Sequence, residues 1–100
     1  MLNSLNDITE DLLLQVKELA GCFFTEKQIS DFLEIELDFF VKCMEDQDNK
    51  LCRAFFEGWM QAEFELRKCI MTLAKAGSSP AQTMASNILD RSKLKRINQS

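Results

Sequence analysis

From Lys50 to Ala76 nothing interrupts a helical pattern except Gly58. At roughly 1.5 Å per residue this stretch makes a rod of about 40 Å, whereas a 100-residue globule has a radius of gyration of about 13 Å. A single helix of that length must span or overhang whatever it packs against. Leu51, Phe55, Trp59, Ala62, Leu66, Cys69 and Leu73 recur along it at spacings of 4, 4, 3, 4, 3 and 4. A second stripe of Cys52, Phe56, Met60 and Phe64 lies beside the first at spacing 4. Two adjacent apolar stripes are wider than one packing partner covers. Either the first and last helices of the same chain cover both, or the chain self-associates, with Phe56, Trp59, Met60 and Phe64 as the oligomerisation residues. Gly58 reads as a tolerated cost of about 1 kcal/mol in a helix interior.

The rest of the chain is expected to be helical as well, because three Gly and one Pro leave almost no turn-forming residues for a many-stranded β fold. Ile8, Leu12, Val16 and Leu19 or Ala20 mark one face of a first helix over about residues 7 to 20, with Asn6 as N-cap and Gly21 just past its end. Thr25-Glu26-Lys27-Gln28 is a capping box opening a second helix over about residues 26 to 33, which should bury Ile29, Phe32 and Leu33. Glu34-Ile35-Glu36 is a tight turn without glycine, and a third helix follows from about Leu37 to Met44 or Glu45. Asp48 is placed to cap the long helix. Gly77 closes it, and Ser79-Pro80-Ala81-Gln82 opens a short last helix with Ser79 as cap. The expected architecture is therefore all-α: a helix-turn-helix unit over residues 1–47, the long and short helices over 48–90, and a basic tail over 91–100. Leu94 and Ile97, three apart, leave open a longer last helix.

Several chemistries are excluded by composition. Histidine is absent, so there is no Ser-His-Asp triad, no Cys-His pair and no imidazole ligand. Cys22, Cys43, Cys52 and Cys69 are separated by 21, 9 and 17 positions, so no C-x-x-C unit exists. Buried, reduced thiols, expected at Cys43, Cys52 and Cys69, account for them better than zinc does. Nothing marks any pair of the sixteen carboxylates as an acid–base site. The expectation is no enzyme, no cofactor and no metal. No apolar run approaches the roughly 18 to 20 residues of a membrane span, and no secretory signal opens the sequence, which points to the cytoplasm, here of a bacterial host cell, and to no membrane partner.

The net charge of −4 conceals an asymmetry. Residues 1 to 50 hold twelve acids and four bases, residues 51 to 90 hold four of each, and residues 91 to 100 add Arg91, Lys93, Lys95 and Arg96 with no acid. An acidic head and a basic tail should meet different partners.

The second and third helices fit a helix-turn-helix, with Ile29, Leu33, Ile35, Phe40 and Cys43 as the residues that lock the pair. Ser30 stands where the helices touch, and Glu34 stands where a left-handed turn favours glycine. The third helix would present Glu36, Leu37, Asp38, Val41 and Lys42 to a major groove. Two acids face one base there, and Lys27, Lys42 and Lys50 are the nearby candidates for phosphate contact. Coulomb repulsion opposes unaided duplex binding by this half, so the same face serves equally as a protein-docking surface.

Thr25-Glu26-Lys27-Gln28-Ile29-Ser30 with Phe32-Leu33-Glu34-Ile35, Glu57-Gly58-Trp59-Met60-Gln61-Ala62-Glu63 with Leu66-Arg67-Lys68, and Leu73-Ala74-Lys75-Ala76-Gly77-Ser78-Ser79-Pro80-Ala81 carry a family resemblance. Over about two-thirds of its length the chain resembles phage small terminase subunits and similar prophage helix-turn-helix proteins. That resemblance implies recognition of packaging-start DNA, assembly into oligomeric rings and recruitment of a large packaging ATPase subunit, without enzymatic activity. Two further readings use the same residues: a transcriptional regulator built on the motif, and a helical interaction module without DNA contact.

Overall fold

A computed structural model describes the chain from Met1 to Gln99, so residue 100 of the expected tail lies outside the described residues. Five α-helices follow a 3-10 turn at Leu5–Asp7: α1 (Glu10–Gly21), α2 (Glu26–Leu33), α3 (Leu37–Met44), α4 (Lys50–Lys75) and α5 (Ser79–Gln99). The fold is all-helical, three short helices preceding a long one. The residues form two compact units, Met1–Glu63 and a second beginning at Phe64, with the boundary inside α4.

The first unit starts with a backbone clamp. The Leu2 N–H donates to the Glu34 carbonyl at 3.0 Å and the Glu36 N–H donates to the Leu2 carbonyl at 2.8 Å, a parallel β-bridge between Leu2 and Ile35. The first helix begins later than expected, at Glu10, and its cap is Thr9, whose Oγ1 accepts from the Leu12 N–H at 3.1 Å. Asn6 is instead part of the 3-10 turn, where the Asp7 carboxylate accepts from the Asn3 and Ser4 amides at 3.1 and 3.2 Å. Leu12, Val16 and Ala20 form the buried face of α1, as their spacing predicts. Gly21 is its last residue, and Phe23 takes the left-handed backbone, φ 63°, that turns the chain toward α2.

The capping box of α2 is complete: Thr25 Oγ1 accepts from the Gln28 N–H at 3.2 Å and Gln28 Oε1 accepts from the Thr25 N–H at 3.0 Å. Of the three residues expected inside, Ile29 is buried and Leu33 half-buried, but Phe32 is 73% exposed. The reason is angular. At about 100° per residue, Ile29, Leu33 and Ser30 share one side of an eight-residue helix, and Phe32 falls about a quarter-turn away. Glu34 sits in the left-handed region, φ 56° and ψ 44°, and makes the turn that glycine usually makes. Ser30 bridges that turn: its carbonyl accepts from the Ile35 N–H at 2.9 Å and its hydroxyl donates to the Ile35 carbonyl. Ser30 is thereby the buried polar residue whose hydroxyl is fully satisfied.

Phe40 and Cys43 bury the inner face of α3. Phe40 meets Phe55 of α4 edge to face, centroids 6.4 Å apart. Asn49 rather than Asp48 caps α4, its Oδ1 accepting from the Leu51 N–H at 2.8 Å. Val16, Ile29, Ile35, Phe40 and Leu51 are fully buried, each stabilising the unit by about 1.5–3 kcal/mol relative to exposure. Gly58 completes the core. A Cβ built there would lie 2.1 Å from the Lys17 carbonyl oxygen, so the backbones of α1 and α4 approach closely at this point and glycine is required.

In the second unit, the end of α4 is closed by Gly77 at φ +103°, with the Ser78 N–H returning to the Leu73 carbonyl at 3.0 Å. Ser78, not Ser79, caps α5, its Oγ accepting from the Ala81 N–H at 3.4 Å. Gln82 Nε2 donates to the Ala74 carbonyl at 3.1 Å and ties the start of α5 to the end of α4. The last helix is not short: it runs 21 residues and takes in the basic segment, because no glycine or proline follows Pro80 to stop it.

Candidate functional site

The structure sorts the candidate residues into three surfaces. On α3, Asp38, Val41 and Lys42 are exposed at spacings of three and one and share a face, while Glu36 and Leu37 are half-buried at the turn. The Glu36 amide is already committed to Leu2. Lys27 is exposed on α2, but its ammonium is bound to Asp31 one turn on, at 2.8 and 3.0 Å to the two carboxylate oxygens. A phosphate would have to compete with that partner.

The second surface is on α4. Phe56 and Met60 are 47% and 63% exposed, one turn apart, and Phe64, a further turn on, is 58% exposed. The Lys68 ammonium stands 5.9 Å from the Phe64 ring centroid. Trp59 differs from these three. Its ring meets Phe23 edge to face at 6.0 Å, so part of its surface closes the α1–α2 connection. Cys69, expected inside, is exposed, as is Cys22, whereas Cys43 and Cys52 are buried. Burial pushes both of these thiols up, the Asp46 carboxylate adding to the effect, and the Cys52 thiol donates to the Met44 carbonyl at 3.6 Å.

The third surface is α5, where Arg91, Lys93, Lys95 and Arg96 are all exposed. Their steps of 2, 2 and 1 distribute them around the helix rather than along one line. The charge division is sharper by unit than by sequence thirds. Residues 1–63 carry fourteen acids against five bases, and residues 64–100 carry two acids against seven bases, giving −9 and +5.

Sequence reasoning missed an apolar groove in the second unit. Met71 and Ala74 of α4 face Ala85, Ile88 and Leu89 of α5 across an opening of about 460 Å³. Its signal is the row of small and apolar residues at helical spacing on α5, in a segment whose alternation is otherwise polar. Among the described residues no group of three or more His, Cys, Asp or Glu is placed to hold a metal ion, and no helix is long and apolar enough to cross a membrane. No family model, curated protein or solved structure matches the chain.

Proposed function

We propose that this chain is a non-enzymatic assembly adaptor of the helix-turn-helix type, resembling a phage small terminase subunit, that self-associates through α4 and contacts DNA through the bases of α5. The row of Phe56, Met60 and Phe64 carries this reading, because three large apolar side chains at successive turns of one helix lie exposed in the single chain. Such a row is stabilised by a partner that removes it from water, at about 25 cal/mol per Å². The basic α5 supports the DNA contact, since four bases without an acid between Arg91 and Arg96 form a surface that releases counterions from a duplex. A large packaging subunit is the partner that the resemblance implies for the assembled form.

Light scattering of the chain at high micromolar concentration, with and without duplex DNA, tests the reading. The expected result is a multimer that shifts in mass with DNA. Phe56→Glu and Phe64→Glu should each reduce the multimer, since a buried unpaired carboxylate costs several kcal/mol. A strictly monomeric wild type rejects the adaptor. A second reading, a helical module that docks a protein without touching DNA, is favoured by Glu36 and Asp38 on a unit of net charge −9. It predicts the same multimer with no DNA shift at low salt.

A further inference from the structure

Two features remain without a role: the most exposed phenylalanine, Phe32, and the groove between α4 and α5. They are chemically complementary. Phe32 projects from the end of α2 between Asp31 and Glu34, both exposed, on the unit of charge −9. The groove is lined by Met71, Ala74, Ala85, Ile88 and Leu89 on the unit of charge +5. Ser92 lies at its edge, and Lys95 and Arg96 follow one turn beyond on the same side of α5. An apolar slot with bases at its rim suits an apolar knob with acids at its base.

We infer that Phe32 of one copy docks in the α4–α5 groove of a second copy, with Asp31 and Glu34 facing Lys95 and Arg96 across the contact. The inference rests on the self-association proposed above and adds its direction. The contact joins two different surfaces, acidic unit to basic unit, and so differs from a self-complementary pairing of α4 rows. The groove's opening of about 460 Å³ holds an aromatic side chain, and Met71 and Leu89, 44% and 54% exposed, gain cover from it. The flanking charges contribute register and salt dependence more than affinity.

A charge-swap experiment reads this directly. Asp31→Lys with Glu34→Lys makes the knob basic, and Lys95→Glu with Arg96→Glu makes the rim acidic. All four positions are exposed, so circular dichroism and melting should match wild type. Each double variant alone should associate at least about tenfold more weakly than wild type by sedimentation, because like charges then meet at the contact. An equimolar mixture of the two should recover association, since each reversed surface finds its opposite. Phe32→Ala should weaken association without altering the melting curve. Association by both charge variants and by Phe32→Ala at wild-type strength overturns the docking while leaving the α4 reading intact. A monomeric wild type overturns both.

Discussion

A methyl group at position 58 would stand 2.1 Å from the Lys17 carbonyl oxygen and 2.8 Å from its carbonyl carbon, both backbone atoms of α1. Flexible side chains can yield at such a distance, but a helix backbone yields only by moving the whole crossing. Gly58→Ala should therefore destabilise the first unit by about 1–3 kcal/mol, although alanine improves helix propensity by about 1 kcal/mol. A denaturant melt decides between them, and a more stable variant would mean that α1 and α4 do not meet there. From sequence, Gly58 is a defect in a helix; its necessity belongs to a residue 41 positions earlier and is invisible to local pattern. The buried thiols permit a second test. Burial raises Cys43 and Cys52 above the ordinary value of 9.0, so the folded state holds these protons more tightly than the unfolded state does. Their contribution is fully present below pH 9.0 and is lost as pH rises through the raised folded values. Stability should fall on the alkaline side, and the Cys43→Ala, Cys52→Ala double variant should flatten that limb at the cost of overall stability from the lost packing.

At the scale of the element, α2 and its turn show what local rules decide. Thr25 and Gln28 fix the start of the helix through a reciprocal pair of hydrogen bonds, and the range Glu26–Leu33 follows from those two residues with its apolar spacing. Which face turns inward is decided elsewhere. Phe32 satisfies the helical period as well as Leu33 does, and only the position of α1 and α3 selects between them. The caps tell a similar story. Asn6 and Thr9, Asp48 and Asn49, and Ser78 and Ser79 are close neighbours of equal capping chemistry, and hydrogen-bond geometry chooses one of each pair. Glu34 is the element's strained point. Its left-handed backbone is foreseeable from the spacing of the two helices, and its exposed side chain is not needed for the turn. Glu34→Gly should stabilise the unit by about 1 kcal/mol, since glycine enters this region without a Cβ clash. A rise in melting temperature checks it, and a fall would mean that the carboxylate holds the turn.

For the whole molecule, the all-helical class was legible because turn-forming residues are so few, and the long helix because its stripes run unbroken past Gly58. The α4–α5 groove was not, since a groove is a property of two helices side by side and α5 alone has no consistent apolar face. The separation of charge was legible in part: the acidic head and basic end were plain, but the division into −9 and +5 follows the boundary at Glu63 and Phe64. DNA affinity tests its consequence. If Arg91, Lys93, Lys95 and Arg96 each contact a phosphate, log affinity should fall with log salt at a slope of about −3.6, roughly −0.9 per contact. Replacing all four by Gln should remove most of the binding and nearly all of the slope, whereas Lys42→Ala should change little. The reverse pattern would place the contact on α3. The same division governs how the protein behaves on a chromatography resin. With a pI of about 4.8 the chain is a natural candidate for an anion exchanger at neutral pH. A bead, however, meets one face of a molecule at a time, and the second unit offers it a cation's face. At low salt the protein should also be retained on a sulfonate column, and the four-Gln variant should flow through it.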